Sequence, residues 1–242
     1  MVREGRNDQQ RRKVISVTNG THASLLGENV RRLLRQVLGQ PDVPPASAAS
    51  LPASLQRHSN GLREFWRGIE AHPQQFILDL GSASQDNLTF ITGHGCKLYA
   101  EDLFRVALRS PVARNGQPLP EAASFFRENL TYSEGQFTGI LCWDILDFLP
   151  EHLLMPCVES LFSFLKPGGN LLAFFHTGSP GQAAPLCQYR IHSADTLEVT
   201  GREAGKLRRH FNNRAIENLF RTFSSLKFYL SRDSLREVVI VR

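Results

Sequence analysis

The sequence predicts an α/β fold with a Rossmann-like, doubly wound sheet of seven strands that are mostly parallel. Three observations predict it. From residue 76 onward, short apolar runs alternate with segments of helical periodicity, which is typical of parallel strands joined by crossovers. The first run ends in Asp79-Leu80-Gly81, a turn at the place where such sheets hold nucleotides. The last two runs are separated only by SRDSLR, which permits antiparallel pairing but not a parallel crossover.

The N-terminal part of the chain is predicted to be an extension of this fold. Residues 1–20 are polar and basic and are expected to form a flexible arm, while residues 22–38 carry apolar residues at helical spacing and predict an amphipathic helix. Residues 39–55 are rich in Pro, Ala and Ser, which is the composition of a linker. A helix then leads into the first strand, with one apolar face: Leu62, Phe65, Trp66 and Ile69.

Seven segments have the length and composition of strands, and the last two form a C-terminal hairpin with one antiparallel strand. They are residues 76–78, 96–100, 124–127, 137–143, 170–176, 226–230 and 237–241. The third is the least defined. A helix over residues 150–165 ends at Lys166-Pro167-Gly168-Gly169, because proline cannot continue it and the glycines permit a reversal into the next strand. Residues 189–199 alternate in the manner of an inserted hairpin, and residues 213–223 have helical periodicity.

Composition narrows the class of protein. No stretch approaches the roughly 20 apolar residues that span a bilayer, and the N-terminus lacks the apolar core of a secretory signal, so a cytoplasmic location is expected. The four cysteines are far apart and fit free thiols, and no spacing of Cys or His proposes a metal site.

The basic residues are concentrated at the two ends of the chain. Residues 1–39 carry a net charge of +5, residues 40–200 carry −6, and residues 201–242 carry +6. Because no aromatic residues are interleaved with the N-terminal arginines, this distribution favours a solvated surface over a nucleic-acid site. A soluble monomer or a weak homodimer is expected.

Four motifs, in this order, resemble those of the class I S-adenosylmethionine-dependent methyltransferases. They are DLGSASQ, KLYAEDL, FTGILCWDILDFLP and LKPGGNLLAFF. The resemblance covers about residues 60–242, and it places the terminal hairpin where the family has its one antiparallel strand. The predicted domains are therefore the arm (residues 1–20), the helix and linker (residues 21–58) and a methyltransferase-like domain (residues 59–242).

The resemblance implies S-adenosylmethionine as cofactor and names the residues that would hold it. Asp102, or Glu101 if the alignment is shifted by one residue, would bind the ribose hydroxyls, and the Gly81 turn would face the methionine part. The full expected cofactor set is Asp79, Gly81, Ser82, Glu101, Asp102 and Trp143. These residues fall at or just beyond predicted strand ends, which gather at one edge of a parallel sheet.

The first motif departs from the family pattern. Ala83 and Gln85 stand where the family has glycines, and Thr138 stands where it often has an acidic residue. The added side chains limit the approach of backbone to a ligand. They also argue against a nicotinamide or flavin dinucleotide site, since Gly81 is the only glycine left in the loop.

The expected activity is methyl transfer to a small-molecule acceptor. His176 is the candidate base, with Asp144 as the alternative, because an imidazole can accept a proton near neutral pH. Tyr189, Asn213 and Arg214 are the candidate substrate-binding residues. The competing interpretation is a non-catalytic binding or regulatory protein that has kept the methyltransferase fold and lost cofactor binding.

Overall fold

The computed structural model of the chain describes residues 54–70, 75–103, 122–230 and 235–242. The predicted basic arm, the predicted helix over residues 22–38 and nearly all of the predicted linker lie outside these residues. So do residues 104–121, which follow β3, the strand ending at Ala100.

The described residues form nine strands and six helices. The strands are β1 Leu55–His58, β2 Phe76–Asp79, β3 Lys97–Ala100, β4 Phe137–Trp143, β5 Leu165–His176, β6 Ala183–Ser193, β7 Thr196–Lys206, β8 Ser225–Leu230 and β9 Leu235–Val241. The helices are α1 Asn60–Glu70, α2 Gln85–Gly93, α3 Ala122–Asn129, α4 Ile145–Phe148, α5 Glu151–Phe164 and α6 Asn213–Leu219.

The larger sheet is mixed and mostly parallel, as the sequence predicts for a Rossmann-like fold. Its strand order is β3-β2-β4-β5-β9-β8. The first four strands run parallel, whereas β9 is antiparallel to both β5 and β8. The single antiparallel strand therefore comes from the C-terminal hairpin, as predicted.

The predicted third strand is wrong. Residues 124–127 lie inside α3, so the described part of the chain contributes six strands to this sheet instead of seven. The consecutive rings of Phe125 and Phe126 are both buried and pack edge to face, with centroids 5.1 Å apart. A short apolar run of this kind is compatible with either a strand or a helix, and its periodicity alone does not separate the two.

A smaller antiparallel sheet is added to the larger one, with strand order β1-β7-β6. The predicted hairpin over residues 189–199 is present, and its strands extend to residues 183 and 206. Leu55–His58, which was predicted to belong to the linker, pairs with β7 as β1. The folded unit therefore begins before the predicted boundary at residue 59.

Apolar residues from helices on both faces cover the larger sheet. On one face, α3, α5 and α6 contribute to a large buried cluster that includes Phe125, Leu161 and Ile216. On the other face, α1 and α2 pack together with the hairpin, so that Trp66 and Tyr189 belong to one cluster. The inserted hairpin therefore lies on the same face of the sheet as the helix that follows the Gly81 turn.

The predicted reversal at residues 166–169 is also present, but it lies inside the first part of β5 and not before the strand. Gly168 has a φ of 77°, which is favourable for glycine, and the pairing with β4 passes from Leu165 directly to Asn170. The four residues between them therefore form a bulge at the start of the strand.

Candidate cofactor crevice

The carboxyl ends of four parallel strands meet at one edge of the sheet, and the site is built there. β2 ends at Asp79, β3 at Ala100, β4 at Trp143 and β5 at His176. After β2 the chain goes first to β3 on one side and later to β4 on the other, so the order of the strands reverses at β2. Ligands of open α/β sheets bind in the crevice at such a switch point.

Asp79 lies at the centre of this edge and is 1% exposed. Its Oδ1 accepts hydrogen bonds from the backbone N–H of Gly81 (2.9 Å) and from the indole N–H of Trp143 (2.7 Å). Its Oδ2 accepts one from the side chain of Asn87 (2.9 Å). Burial raises the pKa of Asp79, although these three donors favour the ionised form and act in the opposite direction.

The indole of Trp143 fills the space beside Gly81. A Cβ atom placed on Gly81 would lie 2.8 Å from both Cδ1 and Nε1 of the ring. Trp143 follows a one-residue irregularity in the pairing of β4 with β5, and its φ of 52° is the only positive φ of a non-glycine residue in the described ranges. Such a backbone is strained for a tryptophan and requires strong support from its surroundings.

Tyr189 of β6 supplies much of that support. Its ring is stacked on the indole of Trp143, with centroids 5.0 Å apart and planes 7° from parallel. Its hydroxyl donates a hydrogen bond of 2.8 Å to Oδ2 of Asp144. We call Trp143 and Tyr189 the ring pair; it closes the inner side of the crevice.

Asn87 attaches the hairpin to this arrangement. In addition to its bond to Asp79, its side chain donates to the carbonyl of Tyr189 (3.1 Å) and accepts from the N–H of Ile191 (2.8 Å). Asn87 lies in the first turn of α2, which Ser84 caps by accepting from the Asn87 N–H at 3.4 Å. Part of the loop that carries glycines in the methyltransferase family therefore serves here as a helix cap.

The outer side of the crevice is more open. Asp102 and Glu101, at the end of β3, are both half-buried. The hydroxyl of Ser82 in the Gly81 turn donates to Oδ2 of Asp102 (3.2 Å), whereas Glu101 accepts a 2.6 Å bond from the hydroxyl of Tyr132. Of the two predicted ribose ligands, Asp102 is therefore the one that faces the Gly81 turn.

A second group of buried titratable residues lies beyond β4 and β5. Asp144 is 5% exposed, and burial raises its pKa to about 6, with the charge of Asp147 acting in the same direction and the charge of His176 in the other. Oδ2 of Asp147 accepts from the backbone N–H of His176 at 2.7 Å and lies 2.9 Å from its Nδ1. The two candidate bases therefore share one buried cluster.

The structure separates the sequence-predicted site residues into four groups. Asp79, Gly81, Trp143, Asp144 and Tyr189 come together at the inner end of the crevice. Ser82, Glu101 and Asp102 line its outer side, and His176 lies against Asp147. Asn213 and Arg214 are exposed at the start of α6, where Asn212 is the cap, and neither lines the cavity described below.

Sequence reasoning missed two residues of this region. Asp147 could have been identified, since it is an acidic residue inside the apolar run ILDFLP. The sequence alone does not show that its partner is His176. Asn87 could not have been identified, because an asparagine near the start of a helix is ordinary in a sequence. Its importance depends on a hairpin that lies about one hundred residues further along the chain.

The space left at the inner end is too small for S-adenosylmethionine, the cofactor that the resemblance of the sequence motifs implies. The cavity measures about 30 Å³ and is lined by the Gly81 turn, the end of β4 and strand β6. Pockets for ligands of this size measure roughly 300 to 1,000 Å³. With the ring pair as placed, the methionine part of S-adenosylmethionine does not fit beside Gly81, and its entry would require the indole to move.

A larger groove lies next to this cavity. It has a volume of about 750 Å³, and Leu186 lines both spaces. The groove runs along the base of the hairpin and the start of α5, with Phe148 and Leu207 as apolar walls and Lys206 and Arg208 among its charged residues. The two spaces therefore adjoin at Leu186.

Two further features are absent from the described ranges. No helix there is both long enough and apolar enough to cross a membrane. No group of three His, Cys, Asp or Glu side chains there is arranged to hold a metal ion.

Comparison with known proteins gives likenesses of fold only. No family model and no curated protein matches the chain. A 1,6-didemethyltoxoflavin-N1-methyltransferase from Burkholderia thailandensis is 15% identical, with 75% of this chain and 77% of that one covered and a TM-score of 0.40. A methyltransferase from Archaeoglobus fulgidus is 9% identical, with 75% and 91% covered and a TM-score of 0.44.

A third solved structure is similar at the same level. It is an S-adenosylmethionine-dependent methyltransferase from Methanosarcina mazei, which is 14% identical, with 70% of this chain and 92% of that one covered and a TM-score of 0.40. At such TM-scores the likeness is partial, and the function of the chain has to be inferred from its own residues.

Proposed function

We propose that this chain is an S-adenosylmethionine-dependent methyltransferase that acts on a small-molecule acceptor. The observation that carries the proposal is the position of Asp102. It follows the carboxyl end of β3, beside the switch point of the sheet, and it accepts a hydrogen bond from Ser82 in the Gly81 turn. A partly exposed carboxylate in this position is suited to the paired hydroxyls of a ribose.

The chemistry that the proposal asks of the protein is limited. When bound, S-adenosylmethionine supplies an electrophilic methyl group, and the protein has to orient an acceptor and remove a proton where necessary. Asp147 contacts Nδ1 of His176, so Nε2 is the nitrogen that would take up a proton. The groove lined by Leu186 is the proposed route of the acceptor, and Tyr189 lines the small cavity on the other side of Leu186.

The remaining parts of the proposal concern the surroundings of the protein. A monomer or weak homodimer in the cytoplasm, without a nucleic-acid partner, is the state expected from the charge distribution and composition. Asn213 and Arg214 stay candidate acceptor contacts, although they lie on an exposed helix start.

One observation favours a second function, a non-catalytic binding protein with a methyltransferase-like fold. The indole of Trp143 occupies the space beside Gly81 and bonds to Asp79. If the indole stays bonded to Asp79, the residues at the inner end of the crevice stabilise the fold and do not bind a ligand.

The first test is isothermal titration of S-adenosylmethionine and S-adenosylhomocysteine into the wild type, Asp102→Ala and Glu101→Ala. We expect binding that Asp102→Ala weakens at least about tenfold, the loss typical of a charged hydrogen-bonding group. Glu101→Ala is the matched control, and we expect a smaller loss because Glu101 faces Tyr132. If the folded wild type binds neither compound, the methyltransferase function is excluded and the binding-protein alternative stands.

A further inference from the structure

The indole of Trp143 lies at the point where the strand order of the sheet reverses. β2 and β4 are neighbours, and the carbonyl of Leu141 accepts from the N–H of Leu80, so both strands end side by side. The ring lies across these two ends, with Gly81 on one side and Asp79 beneath its N–H. It therefore fills the part of the crevice that the resemblance gives to the amino-acid end of the cofactor.

The ring is held there by a specific set of contacts. The indole N–H reaches Asp79 at 2.7 Å, Tyr189 is stacked on the ring face, and Phe174 packs against it edge to face at 5.6 Å. The same position carries a φ of 52°. Backbone strain of this kind concentrates at ligand clamps and switch regions.

Asp102, on the outer side of the crevice, does not line the cavity that the ring pair closes, whereas Ser82 does. Asp102 and Ser82 are partly accessible to solvent, and they face each other across the mouth of the crevice. A ligand that needs only this side, such as a nucleoside, would meet no ring. A ligand that also carries an amino-acid end would compete with the indole for the space beside Gly81 and for Asp79.

We propose that Trp143 is a specificity-determining residue that competes with the amino-acid end of the cofactor. This inference rests on the proposed function. The full cofactor binds only in the fraction of molecules whose indole has left Asp79, so its apparent affinity is reduced by that fraction. The nucleoside portion binds whether or not the ring has moved. The ring pair thus lowers the discrimination between S-adenosyl compounds and shorter nucleosides.

The experiment compares two ligands on two proteins. S-adenosylhomocysteine carries the amino-acid end, and 5′-methylthioadenosine lacks it; both are titrated into the wild type and Trp143→Gly. Glycine is chosen because it adopts the observed φ of 52° without strain. We expect the affinity for S-adenosylhomocysteine to rise about tenfold or more and the affinity for 5′-methylthioadenosine to change less than about threefold.

The outcomes separate this inference from the proposed function. If both ligands bind and the variant binds S-adenosylhomocysteine no better, or more weakly, the ring is a wall of the site and not a competitor, and the inference is overturned while the function stands. If neither ligand binds the wild type or the folded variant, the proposed function fails and the inference fails with it. A cooperative thermal transition establishes that the variant is folded.

A second measurement keeps the full-size ring in place. The chain has two tryptophans, and Trp66→Phe removes the one in α1. The remaining tryptophan fluorescence therefore comes from Trp143. We expect S-adenosylhomocysteine to change this emission, because the indole moves from a buried hydrogen bond, and 5′-methylthioadenosine to leave it unchanged. An equal response to both ligands, or none to either when both are bound, contradicts the inference.

Discussion

At the scale of single residues, the unusual feature is a group of buried carboxylates at one edge of the sheet. Asp79, Asp144 and Asp147 are all at most 5% exposed, and burial raises the pKa of each. A buried carboxylate is costly unless it is hydrogen-bonded. Here the donors are an indole, an amide, a phenol and an imidazole with its backbone N–H.

The raised pKa of Asp144 predicts how stability depends on pH. Its folded pKa is about 6, against about 3.9 in an unfolded chain, so between these values the folded state binds more protons. Stability from this group is therefore present at low pH and is lost as the pH rises through 6. The free energy of unfolding of Asp144→Asn should be close to that of the wild type at pH 4. At pH 7.5 it should exceed the wild-type value by on the order of 2 kcal/mol.

Urea unfolding at the two pH values measures this change. Asp195→Asn is the control, since Asp195 is only half-buried and hydrogen bonds from Ser193 and Thr196 lower its pKa. This variant should not be more stable than the wild type at pH 7.5. The same difference between Asp144→Asn and the wild type at pH 4 and pH 7.5 would show that Asp144 does not titrate in this window.

The sequence identified most residues of this edge, because strand ends in a parallel sheet are predictable from apolar runs. It did not predict the direction of the Trp143 ring. That direction depends on a one-residue irregularity in β4 and on stacking with Tyr189, whose strand the sequence placed only as an insertion. Neither feature leaves a local signal, since both depend on contacts between distant segments.

At the scale of elements, the inserted hairpin decides what the crevice can hold. β6 brings Tyr189 onto Trp143, and β7 pairs with β1. The hairpin was predictable from alternation, whereas β1 was not, because four residues at the end of a Pro- and Ser-rich segment become a strand only through their partner. Local composition favoured a linker, and the pairing with a distant strand overrode it.

Asn87 is the main polar link between this hairpin and the sheet edge. Asn87→Ala would leave the N–H of Ile191 and one oxygen of Asp79 without their partner, both in buried positions. Losing buried hydrogen bonds of this kind should lower the free energy of unfolding by about 3 kcal/mol. The backbone amides of the hairpin should also exchange hydrogen faster than in the wild type. Urea unfolding and amide hydrogen exchange measure the two effects.

A matched variant of the same type is Asn129→Ala. The Asn129 side chain donates only to the carbonyl of Phe125 within its own helix, so we expect a cost below about 1 kcal/mol. Equal losses for the two variants, or unchanged exchange in residues 183–206 of Asn87→Ala, would mean that Asn87 does not secure the hairpin.

At the scale of the whole molecule, a buried ion pair adds a further polar link between the two sheets of the described ranges. Glu237 of β9 is 2% exposed and lies 2.5 Å from Nη2 of Arg57 in β1. It also accepts hydrogen bonds from the hydroxyl of Ser59 (2.9 Å) and the N–H of Gly61 (2.6 Å) at the start of α1. One carboxylate therefore connects the C-terminal strand, the first helix and the smaller sheet.

Removing the charge of Glu237 should therefore destabilise the molecule far more than removing a surface charge. Glu237→Gln keeps the size of the side chain but removes the carboxylate that pairs with buried Arg57. This should lower the free energy of unfolding by about 3 kcal/mol or more. Adding Arg57→Met should restore part of this loss, because the buried charge is removed. Glu64→Gln, which breaks the exposed pair with Lys227, should cost less than about 1 kcal/mol. Denaturant unfolding of the four proteins tests this, and similar costs for Glu237→Gln and Glu64→Gln would show that the buried pair stabilises the molecule no more than an exposed one.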